Sequence, residues 1–78
     1  MGEYRVFVKT NEQGDVIDIN SEIFLDTRKI AREGWILIGK GEGDRYAHAQ
    51  GNYLDGPLYD ERNRPRYTLS NGVVTRKA

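Results

Sequence analysis

The absence of cysteine is the feature that most limits what this chain can fold into. A chain of 78 residues forms at most one domain, residues 1–78, and such a domain buries only about 60% of its unfolded surface. Small domains are usually stabilised by disulfides, metal ions or partners, but disulfides, thiolate zinc sites and a cysteine nucleophile all require cysteine. We therefore expect a modest apolar core and a free energy of unfolding of about 5 kcal/mol.

Charge balance and aromatic content narrow the class of protein. Twelve basic and twelve acidic residues cancel, so the chain has no general attraction for nucleic acid or anionic lipid. Eight aromatic residues add large buried area, which indicates a folded chain. The longest apolar run, residues 35–38, is far too short to span a membrane, and residues 1–5 do not begin a signal peptide. We expect a soluble protein with no membrane partner.

Alternation of apolar and polar residues predicts a first β-hairpin. Residues 4–10 alternate between two faces, and residues 16–23 resume the alternation after a turn that contains Gly14. In the second strand Ile17, Ile19 and Ile23 fall on the same face.

The middle of the chain predicts one short helix and one buried strand. Asp26 is a candidate N-cap for a helix that ends near Glu33, with Gly34 as its C-terminal stop; an extended loop is the alternative. Residues 35–38 are apolar on both faces, which is typical of a central strand covered on both sides.

The C-terminal part predicts a second hairpin. Asn71-Gly72 stands between strand-like runs at 66–69 and 73–76, which is the strongest short hairpin signal, and a further turn is expected near 62–65. The chain as a whole therefore predicts a mainly β fold, with a small α+β fold as the alternative. In it β-hairpins or a meander surround a central strand near Trp35, with at most one short helix.

The glycine-rich stretch at residues 39–44 does not form a phosphate-binding loop. A dinucleotide-binding turn requires glycine where Asp44 stands, and a P-loop requires a Gly-Lys-Ser/Thr ending. The acidic side chains of Glu42 and Asp44 would also repel a phosphate. We expect a flexible, exposed turn and no cofactor.

The single histidine, His48, would need a carboxylate or hydroxyl partner nearby to act in acid–base catalysis. Asp44 and Tyr46 stand close to it in sequence, but there is no serine nucleophile motif and no second nitrogen ligand for a metal. The carboxylates do not follow the calcium-loop spacing. We expect no catalytic residue, no metal site and no enzyme, and we interpret His48 as a structural or interface residue.

Residues 44–54 concentrate aromatic and polar side chains without clear periodicity. Such side chains satisfy backbone groups in an irregular loop packed on the core, or they form an adaptable interaction surface; both interpretations remain open here. The candidate interface residues are Tyr46, His48, Gln50, Asn52 and Tyr53.

Two alternative functions use other residues. A module that binds single-stranded nucleic acid would combine basic and aromatic side chains, although the neighbouring acids Asp60 and Glu61 weaken the local field. Its residues would be Arg62, Arg64, Arg66, Tyr59 and Tyr67. A carbohydrate- or small-ligand-binding domain would use Trp35, Tyr46, His48 and Tyr53.

Several stretches resemble a short module of phage and prophage proteins of Gram-positive bacteria that is associated with tails and baseplates. These stretches are residues 17–22, 34–35, 41–53, 57–58 and 67–69, so the resemblance covers about residues 6–74. It implies a structural or protein-interaction role beside other phage structural proteins, in the bacterial host cytoplasm or the virion, with a homo-oligomer as a further option. It implies no activity, cofactor or catalytic residue.

Overall fold

Two antiparallel sheets carry the fold in a computed structural model that describes residues 3–54 and 56–77, without the side chain of Gln50. The elements, in chain order, are β1 (Tyr4–Thr10), β2 (Val16–Ser21), a 3-10 turn (Glu22–Phe24), α1 (Thr27–Ile30), β3 (Ile36–Gly41), α2 (Asp44–Ala47), α3 (Ala49–Asn52), β4 (Tyr67–Ser70) and β5 (Val73–Arg76). This confirms the predicted mainly β fold. The described residues nevertheless form three one-turn α-helices, where the sequence predicted at most one.

The larger sheet has the strand order β2-β1-β3, so its central strand is β1. The prediction that residues 35–38 form the central strand is therefore wrong. Ile36 and Leu37 belong to the edge strand β3 and are 37% and 51% exposed. Leu37 pairs with Phe7 of β1, which is only 4% exposed. Apolar side chains on an edge strand can thus cover a buried neighbour without being enclosed themselves.

The predicted first hairpin is confirmed, but one irregularity changes which side chains of β2 face the core. The β1–β2 register shifts between Lys9 and Thr10, a β-bulge after which Val16, rather than Ile17, shares the core with Ile19. The predicted second strand ran to Ile23, but β2 ends at Ser21, and Ile23 lies 50% exposed in the 3-10 turn that follows.

The predicted helix start at Asp26 is confirmed, but α1 ends at Ile30 instead of near Glu33, and a hydrogen-bonded turn continues the chain to Gly34. The Asp26 side chain accepts a hydrogen bond from the backbone N–H of Arg28 at 2.9 Å, as an N-cap does. At the other end Gly34 has φ 78°, and the N–H groups of Gly34 and Trp35 donate to the carbonyls of Ala31 and Ile30. This is a Schellman C-cap, for which glycine is favoured because it tolerates positive φ.

The second sheet is the predicted Asn71-Gly72 hairpin. Both turn residues have positive φ, 52° and 79°, as a type I′ turn requires. The hairpin joins the first sheet where the Leu69 N–H donates to the Gly14 carbonyl at 2.9 Å. The predicted turn near 62–65 is also present, with Asn63 at φ 60°.

The core lies between the first sheet, the α2–α3 pair and β4. Four elements contribute the buried side chains of this core, which pack in one cluster. These residues are Val6, Val8, Val16, Ile19, Ala49 and Tyr67. Residues 44–54 therefore lie directly over the core, which decides how their side chains can be used.

Candidate functional site

The α2 and α3 helices form one outward-facing row and one inward-facing row of side chains. His48 joins them: its N–H donates to the Asp44 carbonyl at 2.8 Å, and its own carbonyl accepts from the N–H of Asn52 at 3.1 Å. Asp44, His48 and Asn52 are exposed, whereas Ala49 is buried and Tyr53 half-buried. The spacing of four residues along the outward row is helical. This periodicity was present in the sequence and was missed.

Tyr46 and Tyr53 face inward and pack on β3, where two glycines leave room for their side chains. Their rings meet edge to face, with centroids 5.4 Å apart. A β-carbon on Gly41 would lie 2.6 Å from the Tyr46 ring, and one on Gly39 would lie 2.6 Å from the Tyr53 hydroxyl. The expectation of a flexible turn at residues 39–44 is therefore wrong for the first three residues, which belong to β3 and hold the two rings.

Arg45 lies over both rings of this tyrosine pair. Its guanidinium carbon is 5.7 Å from the Tyr46 centroid and 4.7 Å from the Tyr53 centroid, within cation–π range. Its Nε donates to the Tyr53 carbonyl at 3.3 Å. Of the two interpretations of residues 44–54, packing on the core thus applies to Tyr46 and Tyr53.

His48 and Asn52 face outward, around the carboxylate of Asp44. Asn52 Nδ2 donates to Asp44 Oδ2 at 2.7 Å, and His48 Nε2 lies 3.6 Å from Asp44 Oδ1. The His48 ring also contacts the ring of Phe24, with centroids 5.6 Å apart. Phe24 is 50% exposed, as is Ile23 beside it. We call these five residues the Phe24–His48 surface.

The 3-10 turn that carries Ile23 and Phe24 is held by Glu22. The Glu22 carboxylate accepts from the backbone N–H of Arg5 at 2.7 Å and from the Arg5 guanidinium at 3.1 and 3.2 Å. The backbone hydrogen bond, followed by the side-chain ones, lowers the pKa of Glu22 below its ordinary value of 4.5. Phe24 was not among the predicted candidates, because the alternating sequence pattern extends the second strand to Ile23, whereas β2 ends at Ser21.

The residues of the alternative carbohydrate site do not converge. Trp35 contacts Lys9, whose Nζ is 5.4 Å from the indole centroid, and donates from Nε1 to Glu33. The tyrosine pair packs against the core on the Val8 side of β1. Val8 and Lys9 are neighbours on β1, and neighbouring residues of a strand point to opposite faces of the sheet. Trp35, on the Lys9 side, and the tyrosine pair, on the Val8 side, therefore lie on opposite faces.

The residues of the alternative nucleic-acid site divide between core and surface. Tyr67 is 3% exposed and belongs to the core, so its ring is not open to a stacked base. Arg64 and Arg66 line the same pocket. Arg76 and Lys77, which the sequence pattern had not pointed to, line it as well. The lining residues are Asp60, Arg64, Pro65, Arg66, Arg76 and Lys77.

Asp60 organises the turn beside this pocket. Its Oδ1 accepts from the N–H groups of Arg62 and Arg64, and its Oδ2 accepts from Arg64 Nε at 2.9 Å. These contacts, with the backbone N–H of Arg64 as the largest cause, lower the pKa of Asp60. The carboxylate is thus engaged by the loop itself.

The remaining sequence-based candidates are settled only in part. The side chain of the candidate interface residue Gln50 lies outside the described part of the chain. Within residues 3–54 and 56–77, no group of three or more His, Asp or Glu side chains could hold a metal ion. The helices of the same ranges are all too short and too polar to cross a membrane. Comparison with protein-family models, with curated proteins and with solved structures finds no match in any of the three.

Proposed function

We propose that this chain is a non-catalytic protein-interaction module that docks through the Phe24–His48 surface. The observation that carries the proposal is the exposed Phe24 ring lying against the exposed His48 ring. The resemblance to phage tail and baseplate modules supports a structural partner within such an assembly. The partner is then another structural protein of the same particle.

The composition of the Phe24–His48 surface supports docking. Ile23 and Phe24 form an apolar centre, while Asp44 and Asn52 supply a polar rim, and protein interfaces have this arrangement. Aromatic side chains in such centres often contribute most of the binding energy. A partner that matches this surface has an apolar pocket for Phe24 and a hydrogen-bond donor for the Asp44 carboxylate.

The surface is also held in place before any partner arrives. Arg5 and Glu22 fix the 3-10 turn from one side. The tyrosine pair fixes the α2–α3 helices on β3 from the other side. A surface that is already ordered loses less conformational entropy on binding, which favours affinity.

The test uses the full chain and purified structural proteins encoded beside it, each measured by isothermal titration calorimetry. We expect one of them to bind, and Phe24→Ser and His48→Ala to weaken binding by about tenfold or more. Val73→Ser is the matched control, because Val73 is an apolar residue on β5 that is 61% exposed and lies outside the Phe24–His48 surface.

Two outcomes would contradict the proposal. One is that none of the structural proteins binds, or that Phe24→Ser and Val73→Ser have the same effect. The other is that the chain alone dimerises in analytical ultracentrifugation and loses the dimer on Phe24→Ser, which would assign the surface to a second copy.

A further inference from the structure

A pocket of about 220 Å³ lies between the α2–α3 helices, β3 and the tip of the β4–β5 hairpin, and we infer that it binds a short branched aliphatic monocarboxylate. Four aliphatic side chains line it, namely Ile38 of β3, Leu54 after α3, and Val73 and Val74 of β5. Among the described residues that line it, Arg45 is the one charged group. We call this cavity the Arg45 pocket. It shares no residue with the Phe24–His48 surface, so the inference does not depend on the proposed function.

The walls of the Arg45 pocket are fixed by the fold. Ile38, Leu54 and Val74 are half-buried and pack against the core. Tyr53, a further lining residue, lies against β3 at Gly39, where a β-carbon would lie 2.6 Å from its hydroxyl. A pocket whose walls are ordered in advance loses less conformational entropy when a ligand enters.

One side of the pocket is open and apolar. Gly72 belongs to the lining, and a β-carbon on it would meet no atom within 4 Å, so the hairpin turn leaves the space beside it clear. The next residue, Val73, is 61% exposed. Covering its side chain with the aliphatic part of a ligand removes apolar surface from water, which is favourable. The open side therefore offers entry to an aliphatic group.

Arg45 is held in place but keeps hydrogen-bond donors for a ligand. Its Nε donates to the Tyr53 carbonyl at 3.3 Å, and its guanidinium carbon lies 4.7 Å from the Tyr53 centroid. Within residues 3–54 and 56–77 no carboxylate pairs with Arg45, and the neighbouring Asp44 accepts from Asn52 instead. The two terminal nitrogens can therefore donate to a ligand carboxylate, whose two oxygens match the planar guanidinium group.

The charge of the Arg45 pocket favours a monoanion. An uncharged aliphatic ligand would take the guanidinium group out of water without giving it an acceptor, which costs free energy. A phosphomonoester carries a charge of about −1.5 to −2 at neutral pH, which is more than one guanidinium group neutralises. A single carboxylate is ionised at neutral pH and balances one arginine. The aliphatic walls and the arginine thus fit opposite ends of the same small molecule.

The volume of the Arg45 pocket limits the size of that molecule. An apolar cavity of about 150 Å³ holds benzene. The Arg45 pocket, at about 220 Å³, therefore accommodates a branched aliphatic group of similar size together with its carboxylate. The compound 4-methylpentanoate has both groups and serves as the test ligand.

The experiment is an NMR titration of the full ¹⁵N-labelled chain with 4-methylpentanoate, with its neutral analogue 4-methylpentanamide and with acetate. We expect 4-methylpentanoate to shift the backbone amides of Tyr53, Gly72 and Val73 with a Kd of about 10 mM or below. The neutral analogue lacks the charge, and acetate lacks the branched aliphatic group. Each of them should therefore bind about fivefold more weakly, or worse.

Two substitutions test the two ends of the ligand separately. Arg45→Gln should weaken binding of 4-methylpentanoate about fivefold or more and leave that of 4-methylpentanamide unchanged. Val73→Ser should weaken binding of both compounds, because it removes part of the apolar wall. Val73 is exposed, so this variant tests the pocket even if Arg45→Gln does not fold. Arg32→Gln is the matched control, an exposed arginine in the turn after α1.

The inference is overturned if 4-methylpentanoate moves none of these backbone amides, or if 4-methylpentanamide binds equally well. Equal effects of Arg45→Gln and Arg32→Gln would also overturn it. A short peptide that ends in leucine with a free carboxylate is the last arm of the titration. Binding of this peptide more than about tenfold tighter than 4-methylpentanoate would instead assign the pocket to the C-terminus of a protein, whereas equal or weaker binding supports a small free acid.

Discussion

The ring of Tyr46 occupies the space that a side chain on Gly41 would need, with two ring atoms 2.6 Å from the position of the missing β-carbon. Tyr53 stands in the same relation to Gly39, through its hydroxyl group. The glycine-rich stretch and the tyrosine-rich segment are therefore two halves of one packing arrangement. This arrangement holds the helices that present His48, and it can be tested from both sides.

Adding a methyl group to the glycines should destabilise the fold in a definite order. A β-carbon at Gly41 would lie within 3.0 Å of three Tyr46 ring atoms, whereas one at Gly39 would come that close only to the terminal hydroxyl oxygen of Tyr53. We expect a loss of about 1–3 kcal/mol for Gly41→Ala and a smaller loss for Gly39→Ala, measured by chemical denaturation. Gly51→Ala, in α3 with open space around it, is the control and should be neutral or stabilising by about 0.5–1 kcal/mol.

Truncation of the candidate interface residues should separate packing from docking. Tyr46→Ala and Tyr53→Ala remove rings that pack on the core, and we expect each to cost about 2 kcal/mol of stability or more. His48→Ala and Asn52→Ala remove exposed groups and should cost about 0.5 kcal/mol or less. Equal losses in both pairs, measured by thermal and chemical unfolding, would contradict this division of roles.

The stability of the fold should decrease in acid through Glu22. Its pKa is lower in the folded chain than its ordinary value of 4.5, chiefly because of the backbone hydrogen bond from Arg5. The unfolded chain therefore takes up this proton first as the pH falls. The stabilisation from Glu22 is complete above about pH 4.5 and is lost as the pH falls through the lower, folded-state pKa.

Glu22→Gln tests this dependence directly. It should lower the free energy of unfolding by about 1 kcal/mol at neutral pH, because a charge-assisted hydrogen bond is weakened. The free energy of unfolding should also fall less steeply as the pH is lowered into the acid range. The control is Glu12→Gln, at an exposed position in the β1–β2 turn. If Glu22→Gln loses stability in acid as steeply as the unchanged chain, other carboxylates are responsible for the acid dependence.

The β4–β5 turn should be sensitive to any side chain at Gly72. Its φ of 79° lies in the left-handed region, where a β-carbon is strained, and we expect Gly72→Ala to cost about 1–2 kcal/mol. Ser70→Ala changes an exposed residue of the same hairpin and should be close to neutral. The pair is compared by urea unfolding, and a loss in Ser70→Ala equal to that in Gly72→Ala would argue against the turn as the cause.

Local structure was readable from the sequence wherever a few neighbouring residues decide it. The strand at Tyr4–Thr10, the helix cap at Asp26, the stop at Gly34 and the turn at Asn71-Gly72 were all predicted and are all present. The cap, the stop and the turn depend on hydrogen bonds or φ values within about five residues, and the strand was predicted from the alternation of its own side chains. The β-bulge between Lys9 and Thr10 was not readable, because it depends on the partner strand.

The candidate site was only half predicted. The sequence pattern singled out residues 44–54 as a candidate interface, but it left open which side chains pack and which are exposed. Contact with Gly39 and Gly41 turned Tyr46 and Tyr53 inward, and the end of β2 brought Phe24 to His48. The basic pocket joins residues 60–66 to Arg76 and Lys77, which no local pattern connects.

The amino-acid sequence by itself determined that this chain is a small, mainly β protein and where most of its turns fall. Only the tertiary structure decided that β1 is central and β3 an edge, which tyrosines are packed, and which cations share a pocket. The reason is physical. Turns and caps depend on interactions between near neighbours, whereas strand order and side-chain burial depend on contacts between distant residues, which form only when the chain closes on its core.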